Sequence, residues 1–205
     1  ATHTTPMADD MMRLCRWAVE TGATHLVLEV SSHALAMYRA DGLHYDVAAF
    51  TNLTQDHLDY HGDFATYEKA KRRLFTELAP AWSVINVDDP RGLALADSLS
   101  GRLIRCSKRA GAGVELAVLS HVSDRTGISA ELSSPAGMLS LRSPLIGEHN
   151  LENLLVALGC GFALGLDPQS MLGALAQTHG APGRLERVEH PGDVLGFRRA
   201  SHHDH

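Results

Sequence analysis

The sequence predicts an α/β fold: a mostly parallel sheet flanked by helices, with a small antiparallel subdomain at one edge. Three observations predict it. Short apolar runs alternate with segments of helical spacing through the first half of the chain, as in a sheet covered on both faces. After Cys106 the pattern changes to brief apolar runs separated by Ser, Gly and Pro turns. Helical spacing then returns at Leu151, Leu154, Leu155 and Leu158.

Composition bounds the rest. With 205 residues and 44% apolar content, the chain can bury one good-sized core. No apolar run approaches the roughly 20 residues a membrane span needs. The start lacks a basic stretch followed by an apolar one, so no signal peptide is read and a cytoplasmic location is expected. A net charge of −6 with interspersed signs argues against nucleic-acid binding. Cys15, Cys106 and Cys160 lie far apart, which suggests neither a disulfide framework nor a zinc knuckle.

Taken in order, Thr5 and Pro6 read as a helix cap and first helical residue, and Gly22 as the helix stop. Residues 25–30 (HLVLEV) and 46–53 (DVAAFTNL) read as buried parallel strands. Asp63 caps a helix to about Leu78, followed by a strand over 82–87, a short helix over 93–99 and a strand over 102–106. Residues 114–122, 127–132 and 138–141 form the antiparallel part. A helix stopped by Gly165, a short helix over 168–178 and a loop at 180–183 follow.

Chemistry-bearing residues concentrate between Glu29 and Lys71. Glu29 ends an apolar strand, the edge of a parallel sheet where ligands bind. A carboxylate there can hold a metal on a phosphate, or cap the next helix. Asp56-His57 follows the second strand by a few residues; His57 is either a cation ligand or an ordinary turn histidine. Lys71 falls on the apolar stripe of its helix, with Tyr67, Ala70, Leu74, Phe75 and Leu78, while Lys69, Arg72 and Arg73 point elsewhere. A lysine on that stripe either snorkels or is chemically special, for instance as a carbamate formed with CO₂. His57 and His61 are four apart, but the Glu of a zinc-hydrolase helix is missing between them. Asn150 and Asn153 open a helix; they either meet an adenine edge or cap the helix. Arg184 follows a glycine-rich turn, as a phosphate contact or an exposed loop residue.

Together these segments resemble the Mur ligase family, in particular the branch that adds a third residue to UDP-N-acetylmuramoyl-L-alanyl-D-glutamate. The matching stretches are Thr4-Thr5-Pro6, EVSSHALAMYR, FTNLTQDHLDYHGDFATYEKAKRRLF, VINVDDP, GEHNLENLLVALG and PGRLERV. The resemblance implies a P-loop-type central ATPase domain and ATP-driven amide-bond formation through an acyl phosphate. It implies Mg²⁺ held by Glu29, His57 and a carbamylated Lys71, which would also be the catalytic residues. Thr4, Thr5, Ser31 and Arg39 match positions that hold the UDP-N-acetylmuramoyl-dipeptide, and Asn150, Asn153 and Arg184 match nucleotide positions. The partners implied are that dipeptide, ATP and a diamino acid, meso-diaminopimelate or L-lysine, with no nucleic acid or membrane, and the protein is expected to be a monomer.

The resemblance has limits. No G-x-x-x-x-G-K-[ST] phosphate loop occurs in the chain. The expectation is therefore a central domain over residues 1–188 lacking its P-loop, with a divergent tail over 189–205 in place of the start of a C-terminal domain, and little or no ligase activity alone. A folylpolyglutamate- or cyanophycin-type ligase domain and a non-catalytic nucleotide-binding module are the alternatives.

Overall fold

The structure is a computed structural model that describes residues 4–53, 62–111, 113–180, 184–188 and 196–199, the last two stretches by their backbone. Helix α1 spans Ala8–Glu20, α2 Ser32–Ala36, α3 Phe64–Thr76, α4 Pro90–Ser98, α5 Glu148–Ala163 and α6 Pro168–Leu175. Strands are β1 Val47–Phe50, β2 Trp82–Asn86, β3 Arg102–Ser107, β4 Leu116–Asp124, β5 Gly127–Ser134, β6 Gly137–Ser143, β7 Arg184–Val188 and β8 Gly196–Arg199. Strands β1 to β6 follow sequence order in one sheet, and β7 pairs with β8. The chain divides into two compact units, residues 1–103 and 104–205.

In the first unit, β1 and β2 are parallel, Val47 opposite Trp82 and Phe50 opposite Ile85. β1 (VAAF) is apolar throughout, and β2 (WSVIN) is mostly so, with Ser83 and Asn86 as its buried polar residues. The core joins Leu35 of α2, Phe50 of β1, Tyr67, Leu74 and Phe75 of α3, Ile85 of β2 and Leu95 of α4. The rings of Phe50 and Phe75 meet edge to face at 6.4 Å. Asp63 accepts from the Thr66 N–H at 2.7 Å and starts α3, as its sequence position predicts. Asp89 does the same for α4 by accepting from Arg91 and Gly92, with Pro90 in the first helical position. Gly92 is required there: a Cβ would lie 2.0 Å from the Asn86 carbonyl oxygen.

Two elements depart from the sequence reading. The apolar run 25–30 takes no regular secondary structure and joins no ladder among the described residues, and Val27 is 92% exposed. Thr5 does not cap α1; the cap residue is Met7, without a side-chain hydrogen bond. The Thr5 hydroxyl is committed elsewhere, as described below.

In the second unit, β3 and β4 are parallel at Cys106–Leu116, while β4–β5 and β5–β6 are antiparallel. The sequence change after Cys106 therefore marks a real change of topology. A bulge falls between Val118 and Ser120. Helix α5 buries Leu151, Leu154, Leu155, Val156 and Leu158. The β7–β8 pair lies partly within the stretch expected to be a divergent tail.

Candidate active site

Thr5, Ser31 and the backbone of Glu29 come together although 24 to 26 residues separate Thr5 from the other two. The Thr5 hydroxyl donates to the Glu29 carbonyl at 2.9 Å and accepts from the Ser31 N–H at 2.9 Å. Thr5 is 1% exposed, so both bonds replace water that cannot reach it. Ser31 in turn caps α2, its hydroxyl oxygen accepting from the Ala34 N–H at 3.2 Å. Glu29 is thus not the cap of that helix. Its side chain is exposed and makes no hydrogen bond or ion pair among the described residues. Both carboxylate oxygens are open to a hard cation, which favours oxygen ligands.

Lys71 is half-buried on α3, within the stripe that buries Tyr67, Leu74 and Phe75. His57 and Asp56 lie outside the described residues. Among the described residues, no group of three or more His, Cys, Asp or Glu side chains forms a metal site. Thr4 is exposed and Arg39 half-buried.

The sequence reading missed Arg73, which it placed off the buried face. Arg73 is buried and forks onto Asp41 at 2.7 and 2.5 Å, donates to the Leu35 carbonyl at 3.1 Å and reaches Glu77 at 2.7 Å. These bonds raise the guanidinium pKa above its ordinary value, chiefly through Asp41, and hold the Asp41 carboxyl below its own. Periodicity along α3 gives no sign of it, because Asp41 and Leu35 lie more than thirty residues away.

A second missed group sits at the sheet edge from which residues 54–61 depart. Asn86, 3% exposed, donates to the Thr51 carbonyl at 2.8 Å and accepts from the Asp88 N–H at 3.1 Å. Asp89 accepts from the Leu53 N–H at 2.8 Å. The signal for Asp89 was available, since an aspartate directly before a proline is a helix-start pattern.

In the second unit the cap of α5 is Gly147, at φ 89°, and not Asn150. Asn150 donates from its side chain to the Ile146 carbonyl at 2.8 Å, and Asn153 approaches the Asn150 side-chain oxygen at 3.5 Å. Around them Lys108 contacts Glu148 at 3.6 Å and Glu152 at 2.7 Å, and His121 meets Glu148 at 2.9 Å. Arg184 opens β7; its side chain lies outside the described residues.

The fold is that of a Mur ligase central domain. The Mur ligase middle-domain family matches residues 1–161, and the chain belongs to that family. Its similarity to UDP-N-acetylmuramoyl-L-alanyl-D-glutamate–2,6-diaminopimelate ligase of Geobacter metallireducens is 43% identity over 196 residues, 92% of this chain and 38% of that protein. A solved ligase of the same description superposes with a TM-score of 0.83 at 30% identity, covering 92% of this chain and 39% of that one. Mycobacterium tuberculosis folylpolyglutamate synthase complexed with ADP gives a TM-score of 0.61 at 27% identity, covering 80% and 37%. The chain spans under half the length of the curated relatives it matches. No helix among the described residues is long and apolar enough to cross a membrane.

Proposed function

We propose that this chain is the central part of an ATP-dependent ligase that joins a diamino acid to UDP-N-acetylmuramoyl-L-alanyl-D-glutamate in peptidoglycan synthesis. The observation that carries the reading is the Thr5 hydroxyl, which donates to the Glu29 carbonyl and accepts from the Ser31 N–H. It joins two residues assigned to the UDP-peptide to the residue assigned to the metal. The 43% identity to a ligase of that name supports the substrate class.

The reaction has two steps. The terminal carboxylate of the UDP-dipeptide attacks the γ-phosphorus of ATP; the bond to ADP breaks and an acyl phosphate forms. The amine of the diamino acid then adds to the acyl carbon, and phosphate leaves as the amide forms and the amine loses its proton. Both steps depend on alignment and charge neutralisation. Thr4, Thr5, Ser31 and Arg39 hold the UDP-dipeptide, and Asn150, Asn153 and Arg184 contact the nucleotide. Glu29, with His57 and a Lys71 carbamate, would hold a magnesium ion whose charge offsets that of the phosphates. The carbamate arises when the neutral Lys71 amine adds to CO₂ and releases a proton. The reading includes a cytoplasmic monomer.

Calorimetric titration of the 205-residue chain with UDP-N-acetylmuramoyl-L-alanyl-D-glutamate, and with ATP in the presence and absence of Mg²⁺, tests this. Binding of the UDP-dipeptide, weakened in Ser31→Ala, is expected. Binding of a reduced folate in its place would move the chain to the folylpolyglutamate type, and ATP binding without either substrate would leave a nucleotide-binding module.

A further inference from the structure

Helix α2 ends in a turn that glycine ordinarily makes. Tyr38 follows the cap residue Met37 with φ 58°. Its N–H donates to the Leu35 carbonyl at 3.3 Å, and the Arg39 N–H donates to the Ala34 carbonyl at 2.8 Å. This is the paired-bond ending that favours a residue without a Cβ, and a bulky side chain there is strained. Such a conformation persists only where its surroundings over-determine it.

Arg73 supplies that determination. Its guanidinium lies over the Tyr38 ring, 4.2 Å from the centroid. The same group donates to the Leu35 carbonyl and, as a fork, to both Asp41 oxygens. One guanidinium thus grips residues 35, 38 and 41, on both sides of Arg39. Arg39 itself is half-buried; its Nε is buried without a hydrogen-bond partner among the described residues and its Nη2 lies 2.8 Å from the Met37 sulfur. Few of its own bonds therefore fix its path, and the turn must do so.

We propose that Arg73 is a positioning residue: it fixes the 37–41 turn, and so the approach of Arg39 to an anionic substrate, onto the helix that carries Lys71. The role given to Arg39 rests on the function proposed above; the fixing of the turn does not.

Two variants test it in the full 205-residue chain. Arg73→Lys keeps the charge but cannot keep the fork. Asp41→Asn removes the charge partner and leaves the arginine in place. Amide hydrogen exchange at residues 36–42 is expected to rise about tenfold in both, with β1 and β2 unchanged. Unchanged exchange in the turn, or an equal rise everywhere, overturns the proposal. UDP-N-acetylmuramoyl-L-alanyl-D-glutamate binding then forms a double-mutant cycle with Arg39→Ala. Arg73→Lys should weaken binding about tenfold in the parent chain but less than about twofold when Arg39 is already alanine. Equal losses in both backgrounds would mean Arg73 does not act through Arg39. If the parent chain binds no UDP-dipeptide, the proposed function fails, and the exchange measurement alone decides the role of Arg73.

Discussion

The Asp89 carboxylate accepts from the Leu53 N–H at 2.8 Å across 36 residues, while its other oxygen caps α4. One side chain thus starts a helix and anchors the end of the β1 segment from which residues 54–61, and His57 among them, continue. Asp89→Asn keeps an oxygen for the cap but turns a donor toward the Leu53 N–H. It is expected to cost about 1 kcal/mol in urea denaturation, and Asp89→Ala, which loses both roles, about 2 kcal/mol. An Asp89→Asn variant as stable as the parent chain would show that the Leu53 bond contributes nothing, and equal costs for the two variants would show the same of the cap.

How much of this was legible in the sequence differs by element. Local signals worked: Asp63 before an apolar-periodic run gave the start of α3, and the turns at Arg125-Thr126 and Pro135-Ala136 separate the three antiparallel strands. The run 25–30 misled because an apolar stretch shows a need for burial, not the presence of a partner strand. Thr5 misled because its hydroxyl could serve a local cap or a distant backbone, and the distant Ser31 N–H won. In the site, the Glu29–Ser31 segment and Thr5 were picked out by their motifs, whereas Arg73 was lost. Its main ion partner, Asp41, lies in a turn over thirty residues earlier, and a long-range ion pair has no period to read.

Stability should depend on acid through Asp41. Arg73 holds the Asp41 carboxyl below its ordinary value of 3.8, mainly by hydrogen bonding. A carboxylate lowered on folding contributes stability that is fully present above the unfolded value and is lost as pH falls through the folded one. The stability gap between the parent chain and Asp41→Asn, from urea midpoints, should therefore be wide at about pH 7 and narrow at about pH 3. A gap that stays constant would show that the pair is not formed in solution.

The three cysteines should alkylate in a fixed order. Burial pushes the Cys160 thiol up to about 11, so little of it is thiolate at neutral pH. Cys106 is buried, its sulfur 3.6 Å from the Leu155 carbonyl oxygen. Cys15 is half-buried on α1. Iodoacetamide at about pH 7.5 should label Cys15 first, with Cys160 and Cys106 protected until denaturant is added, as read by peptide mass. Early labelling of Cys160 would contradict the packing of α5.

The carbamate proposed on Lys71 is open to direct detection. Lys71 sits half-buried on the stripe of α3 that buries Tyr67, Leu74 and Phe75. Carbamylation replaces the ammonium cation with an anion that a bound Mg²⁺ would stabilise, so the metal and the modification should reinforce each other. The chain equilibrated with ¹³C-labelled bicarbonate should give one carbamate carbonyl resonance by NMR. That signal should strengthen with Mg²⁺, weaken in Glu29→Gln and vanish in Lys71→Arg, which keeps the positive charge but cannot form the adduct. A resonance that survives Lys71→Arg would place the modification on another amine, and no resonance with Mg²⁺ present would remove Lys71 from the proposed metal set.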